Sequence, residues 1–262
     1  MEKINYKKKY GQNFLQDQNI LEKIANIVCV KEDDLIIEIG PGNGKLTEKL
    51  LRYNSFYLGY EIDGELKKHL DKYLGDKVHI HYQNFLESDI KKDISAMTFN
   101  NLYIIANIPY YITTPILTKI IESDIPVTKQ VLMVQKEVAE RLTARPGGKK
   151  YGSLSVYLNC YYRVKKMFDV SRSCFIPIPN VDSTAILLER DYKINDVDEQ
   201  ILHKLIRDSF QFKRKQLKNN LKTYDLEKIA PVLKNHHLDF TSRAEELSLE
   251  VFIAMAKVIG HK

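Results

Sequence analysis

Cysteine is scarce in this chain of 262 residues: Cys29, Cys160 and Cys174 stand far apart and form no CxxC pair. Neither a disulfide framework nor a structural zinc site is suggested by that spacing, and the count fits a reducing cytosol. The opening residues, MEKINYKKKYGQNF, hold no apolar core of signal-peptide length. A long uncharged stretch runs over 94–118, but Asn100, Asn101, Asn107, Pro109 and Pro115 interrupt it. Those residues exclude a bilayer-spanning helix and leave a buried strand followed by a loop and a helix. A charge excess of one sign is also small: 40 Lys and Arg against 34 Asp and Glu, a net charge of +6. A mild basic balance fits a polyanionic partner, although many proteins without one share it.

What is present is ordinary for a globular, core-forming protein, with 44% apolar and 28% charged residues. The length suits one large domain, or one with a smaller appendage. From residue 17 onward, helical and strand patterns alternate. DQNILEKIANIV spaces Ile20, Leu21, Ile24, Ile27 and Val28 as a helix does, with Asp17 as its N-cap. LIIEIG, FYLGYEID, KVHIHY, LYIIAN and KQVLMVQ read as buried strands. GKLTEKLL, GELKKHLDKYL, a segment opening near Thr114-Pro115 and KEVAERLTA read as the helices between and after them. Such alternation implies an α/β fold with a parallel sheet covered on both faces. RPGGKKYGS is a loop, LSVYLNCYY a helix, and RVKKMFDV and STAILLER a late antiparallel pair of strands. Beyond about residue 190 only helical patterns remain: VDEQILHKLIRDSF, KRKQLKNNL, LEKIAPVLKN and AEELSLEVFIAMAKVI. The expected division is a domain over 1–190 and a small all-helical domain over 191–262.

IIEIGPGNGKLTEKL sets Gly40, Gly42 and Gly44 between a strand and a helix. Glycines there permit a tight turn and close approach of backbone to a ligand. The spacing is GxGxG, unlike the GxGxxG of dinucleotide enzymes, and no Gly-Lys-Ser/Thr follows. A tight turn alone would explain these glycines. Glu61, about twenty residues on at the end of the next strand, adds a carboxylate able to take both hydroxyls of a ribose. The order of turn and acid points to an adenosine-containing cofactor. Glu38 beside the turn favours S-adenosyl-L-methionine over NAD, because a carboxylate there repels pyrophosphate and tolerates a cation.

The fourth strand ends in NIPY. At this point the chain resembles the ribosomal RNA adenine N6-dimethyltransferases, class I methyltransferases that include a small-subunit (kasugamycin-sensitivity) branch and a large-subunit erythromycin-resistance branch. The resemblance is carried by YGQNFL (10–15), EIGPGNG (38–44), EID (61–63), NIPYYI (107–112), QKEVAERL (135–142), YGSLSV (151–156), FIPIPNVDS (175–183) and FQFKRKQLKNNL (210–221). The last three segments look like the small-subunit branch. It implies a Rossmann-like, mostly parallel seven-stranded sheet and S-adenosyl-L-methionine as cofactor. The implied cofactor contacts are Asn13 and Leu15 in the N-terminal segment, Gly40 and Gly42 in the turn, Glu61 on the ribose and Ile62 against the adenine. Asn84, where the family commonly has Asp, keeps an acceptor oxygen for the adenine amino group. Phe85 and Asn107 complete the set, and no metal is implied.

The same resemblance makes the target an adenine amine, whose lone pair is delocalised into the ring. Nothing near NIPY is a poised base. The workable route is geometric: the Asn107 side-chain oxygen and a carbonyl near Ile108 accept the two N–H bonds and turn the lone pair out of conjugation. Pro109 stiffens the turn. Tyr110 stacks on a flipped base, and by resemblance Phe175 is the second wall. Lys149, Lys150, Arg207, Lys213, Arg214, Lys215 and Lys218, with Lys7, Lys8, Lys9 and Lys222, offer phosphate contacts. The implied partner is the small ribosomal subunit and its 16S rRNA, with two adjacent adenosines of a 3′-terminal hairpin loop as targets. A cytoplasmic monomer with no membrane partner is the expectation. The large-subunit branch and a non-catalytic assembly factor are the alternatives.

Overall fold

The computed structural model describes residues 6, 7, 10–212 and 214–260. Among the described residues there are nine strands: β1 (Phe14–Leu15), β2 (Leu35–Ile39), β3 (Phe56–Tyr60), β4 (Val78–His81), β5 (Leu102–Asn107), β6 (Val127–Gln135), β7 (Tyr162–Val170), β8 (Phe175–Ile176) and β9 (Ser183–Arg190). Seven of them form one sheet in the order β4-β3-β2-β5-β6-β9-β7. The strands from β4 to β6 pair in parallel, and β9 returns antiparallel to β6. β1 and β8 make a separate antiparallel pair. Among the described residues no helix is long and apolar enough to cross a membrane.

The strand sequences explain the sheet. LIIEI of β2 is buried at every position, and LYIIAN of β5 at all but its last, as expected for parallel strands covered on both faces. Because β2, β3 and β5 run in parallel, their C-terminal ends share one edge of the sheet, the usual place for a ligand in such folds. Gly40, Glu61 and Asn107 all stand at that edge. Asp34 ties the other edge: its carboxylate accepts from the backbone N–H of Lys31 (2.8 Å) and Asn101 (3.1 Å) and from the Asn101 amide (2.9 Å). Helix Gln18–Ala25 begins at Asp17, whose carboxylate accepts from the N–H groups of Asn19 and Ile20, and it buries Leu21, Ile24 and Ala25.

The chain divides into two compact units, Met1–Ala139 with Lys165–Glu189, and Glu140–Val164 with Arg190–Lys262. The division expected from sequence therefore differs, because residues 140–164 group with the C-terminal helices. Their apolar residues Tyr151, Val156 and Cys160 share one buried cluster with Leu202, Leu205, Ile206, Phe252 and Met255. Three helix expectations shrink. GELKKHLDKYL becomes a short α-helix, Lys67–Leu70, between 3₁₀ turns. AEELSLEVFIAMAKVI is a 3₁₀ turn followed by the helix Leu249–Gly260. Among its described residues, KRKQLKNNL is helical over Leu217–Asn220 alone; Arg214 is left-handed, with φ +66°, and Gln216 pairs with Arg243 in an antiparallel bridge.

One core position works against stability. Gln130, in the middle of β6 between Ile104 and Leu188, is fully buried, and among the described residues neither its Nε2 nor its Oε1 has a hydrogen-bond partner. An unsatisfied buried amide costs about 1–3 kcal/mol. We expect Gln130→Leu to raise the unfolding free energy by about 1–2 kcal/mol in a urea titration; a lower midpoint in the variant would refute the reading.

Candidate functional site

A cavity of about 530 Å³, counting its open mouth, lies at the C-terminal edge of the parallel strands. It is lined by Tyr10, Gly11, Gln12, Asn13 and Phe14, by Gly40 and Gly42, by Glu61 and Ile62, and by Asn107 to Tyr110. All of these residues belong to the first unit. Four stretches far apart in the chain thus meet, and each is brought by a different element: the segment leading into β1, the turn after β2, the turn after β3, and the end of β5.

The glycine turn is shaped for an occupant. Gly40 has φ +71°, a conformation that disfavours side chains, and a Cβ placed there would meet nothing within 4 Å. The space a side chain would enter is left open. Gly42, at φ +63°, does the opposite: a Cβ there would lie 2.5 Å from Cε1 of Phe14, so its missing side chain admits that ring. Glu61 joins the turns. Its Oε2 accepts from the Gly42 N–H at 2.9 Å and its Oε1 from the Asp63 N–H at 2.8 Å. Burial pushes its pKa up, while the N–H groups of Asp63, Gly42 and Ile62 pull the other way. Each oxygen keeps a second lone pair for a hydroxyl. Ile62 is 43% exposed and lines the cavity, an apolar surface beside the carboxylate.

The N-terminal segment is held at two points. The Gln12 amide donates to Asp63 Oδ2 at 2.8 Å, and Lys7 Nζ lies 2.6 Å from Asp63 Oδ1. Burial pushes the Asp63 carboxyl up, but the bonds from Lys7 and Gln12 outweigh it and hold the group below the usual carboxylate range. Further on, Asn107 Nδ2 donates to the Asn13 carbonyl at 3.0 Å. That bond commits the nitrogen end of the amide and makes the oxygen the acceptor of the pair. Ile108 N–H donates to Met133 O at 3.2 Å, tying the turn to β6. Tyr110 Oη and Ser183 Oγ are 2.7 Å apart, and burial raises the phenol pKa, so Tyr110 stays protonated.

Several residues expected at the site do not line this cavity. Phe175 is fully buried: it pairs with Leu15 across β1 and β8, joins the core around Phe14 and is not among the residues lining this cavity. Leu15 is buried in the same cluster. Asn84 caps a 3₁₀ turn, its side-chain oxygen accepting from the N–H of Leu86 (3.1 Å) and its amide donating to Glu87 (2.8 Å). Phe85 packs edge-on against Tyr60 in the core, with ring centres 5.3 Å apart. Glu38 does not face the cavity at all. It is 1% exposed and accepts from Thr47 Oγ1 (2.7 Å) and Tyr57 Oη (2.6 Å). Its bearing on cofactor choice through charge therefore falls. Conversely, Tyr10, Gly11, Gln12, Asp63 and Ser183 were not singled out from sequence. Their only signal was membership of the YGQNFL, EID and FIPIPNVDS segments. Among the described residues no cluster of His, Cys, Asp and Glu could hold a metal.

A family model described as ribosomal RNA adenine dimethylase matches residues 3–261. The chain belongs to the ribosomal RNA adenine dimethylase family. Relatives in that family include the ribosomal RNA small subunit methyltransferase A of Mycoplasma mobile, 42% identical over 95% of this chain and 96% of the relative. The protein of the same description from onion yellows phytoplasma is 41% identical over 94% and 93%. Among solved structures, a dimethyladenosine transferase from Plasmodium falciparum superposes with a TM-score of 0.76 at 26% identity, covering 92% of this chain and 95% of that one. The 23S rRNA methyltransferase ErmE has the same fold, with a TM-score of 0.72 at 20% identity over 94% and 99%. The sheet of this family member is that of a class I methyltransferase.

The buried Glu38 has a measurable consequence. Burial lifts its pKa from the ordinary 4.5 to about 7, against the Tyr57 and Thr47 hydrogen bonds. With the folded value above the unfolded one, its contribution to stability is complete below pH 4.5 and is lost as pH rises through 7. We expect the stability difference between Glu38→Gln and the parent chain to shift in the variant's favour by up to about 3 kcal/mol from pH 4 to pH 9. Urea unfolding at the two pH values measures this, and a pH-independent difference would contradict it.

Proposed function

We propose that this protein transfers methyl groups to N6 of two adjacent adenosines in the 3′-terminal hairpin loop of small-subunit (16S) rRNA, as a cytoplasmic enzyme using S-adenosyl-L-methionine. One observation carries the chemistry: the Asn107 amide is anchored by its nitrogen to Asn13, which leaves Oδ1 as a fixed acceptor in the cavity. The small-subunit assignment rests on the relatives' descriptions and on the near-complete length over which they match.

The cavity suits the cofactor. Gly40 offers open space at a left-handed turn, Glu61 a carboxylate for ribose hydroxyls, and Ile62 an apolar face for the adenine ring. Asn13, Gly42 and Asn107 complete the wall. When bound, S-adenosyl-L-methionine supplies an electrophilic methyl group on a positively charged sulfur. The chain's own residues prepare the amine. Asn107 Oδ1 and the Ile108 carbonyl accept its two N–H bonds, so its lone pair leaves conjugation with the ring. Pro109, at φ −56° and ψ 130° with no N–H of its own, keeps that carbonyl-bearing turn stiff. Tyr110 offers a ring for stacking, with its hydroxyl tethered to Ser183. The acceptors are neutral, so this positioning needs no residue to change protonation.

In the second unit, Lys149, Lys150, Arg207, Arg214, Lys215 and Lys218 are exposed, and they are the proposed phosphate contacts. Lys213 lies outside the described residues, as do Lys8 and Lys9. Lys150 already pairs with Glu140 and Arg207 with Asp208 at 3.6 Å, so Arg214, Lys215 and Lys218 carry more of the proposed attraction.

Labelled S-adenosyl-L-methionine with undermethylated small subunits, large subunits and free rRNA tests the substrate: methylation confined to large subunits would overturn the assignment. Asn107→Ala should lower the methylation rate by about 10²–10³-fold. Cofactor affinity should fall by no more than about tenfold, the worth of the lost Asn13 bond. A rate within a few-fold of the parent would remove Asn107 from the mechanism.

A further inference from the structure

Resting on the reading of this protein as an RNA-modifying enzyme, we infer that Phe212 is a stacking platform for an unpaired nucleobase of the bound rRNA. Phe212 is 55% exposed, although its side chain has no polar atom to solvate. A buried residue fixes its place. Asn220, 8% exposed, accepts from the Phe212 N–H at 3.1 Å through Oδ1. Its Nδ2 donates to the Ser209 carbonyl at 2.7 Å and lies 3.4 Å from the Phe212 carbonyl. The Lys215 N–H closes the turn on that carbonyl at 3.2 Å. The loop thus holds an aromatic ring outward on a pinned backbone, so little conformational entropy remains to be lost when a partner covers it.

Charge identifies the partner. From Ser209 to Lys222 the chain has no Asp or Glu, and Arg214, Lys215, Lys218 and Lys222 are all exposed. A basic surface around one outward ring matches a single-stranded nucleic acid, whose backbone takes the cations and whose base takes the ring. An apolar protein partner would not call for that charge. The two contributions differ in salt dependence: phosphate contacts release counterions, and stacking does not.

The test measures binding of undermethylated small subunits by the full-length protein across a salt titration, for the parent chain, Phe212→Ala, Phe212→Tyr, Phe212→Leu and Lys215→Ala. Unchanged thermal midpoints and cofactor affinity confirm that each variant folds. Phe212→Ala should weaken binding about tenfold at every salt concentration with the slope unchanged. Phe212→Tyr should bind as the parent does, and Phe212→Leu should resemble Phe212→Ala. Lys215→Ala should flatten the slope by about one unit. Parent-like binding by Phe212→Ala would overturn the inference, and so would parent-like binding by Phe212→Leu, which would indicate an apolar protein contact. Failure of the parent chain to bind any ribosomal particle or rRNA would instead overturn the underlying reading.

Discussion

The carboxylate of Glu61 is the constraint on which the cavity depends. It is buried at the sheet edge and engages the N–H groups of Gly42 and Asp63. A buried carboxylate is tolerated only where hydrogen bonds replace its lost hydration. Here those bonds come from two different turns, so the requirement fixes the turns relative to each other. Asp63, placed by the same interaction, holds Gln12 and Lys7 and with them the segment that forms the far wall. One ionisable group at a strand end thereby orders three parts of the cavity.

The remaining closure is made by groups that are distant in the sequence. Asn107 reaches the Asn13 carbonyl across 94 positions of sequence, and Tyr110 reaches Ser183 across 73. The β1–β8 pairing fixes residues 14–15 against 175–176, and the absent side chain of Gly42 makes room for Phe14. These contacts explain why YGQNFL, NIPYYI and FIPIPNVDS matter together although none is near another in the chain. The proposed methyl transfer needs immobile acceptors at the Asn107–Tyr110 turn, because an acceptor free to rotate would gain no advantage over water.

Much of this was legible beforehand. The strands were plain as apolar runs, since a parallel strand buried on both faces has no polar alternation to confuse it. Gly40, Gly42, Glu61, Ile62, Asn13 and the Asn107–Tyr110 run all line the cavity. The expected residues that do not line it share a cause. Asn84, Phe175, Phe85 and Leu15 were assigned by their place in a motif, and a motif does not say which way a side chain points. Phe175 and Ile176 are neighbours on a strand, yet one is fully buried and the other 47% exposed, because successive strand residues face opposite sides. Glu38 was assigned by proximity to the glycine turn. Its strand register instead turns it toward Tyr57 and Thr47.

Local sequence by itself determined the alternation of strands and helices, the glycine turn, the acid after the second strand and the polar turn ending the fifth. Each rests on short-range rules of periodicity, backbone freedom and turn chemistry. The tertiary structure alone decided which end of the Asn107 amide is bound and that residues 140–164 group with the C-terminal helices. It also decided that Asn220 pins Phe212 outward, and that Gln130 finds no hydrogen-bond partner among the described residues. Those outcomes depend on groups far apart in the chain competing for the same hydrogen bonds and the same buried volume, which no window of neighbouring residues contains.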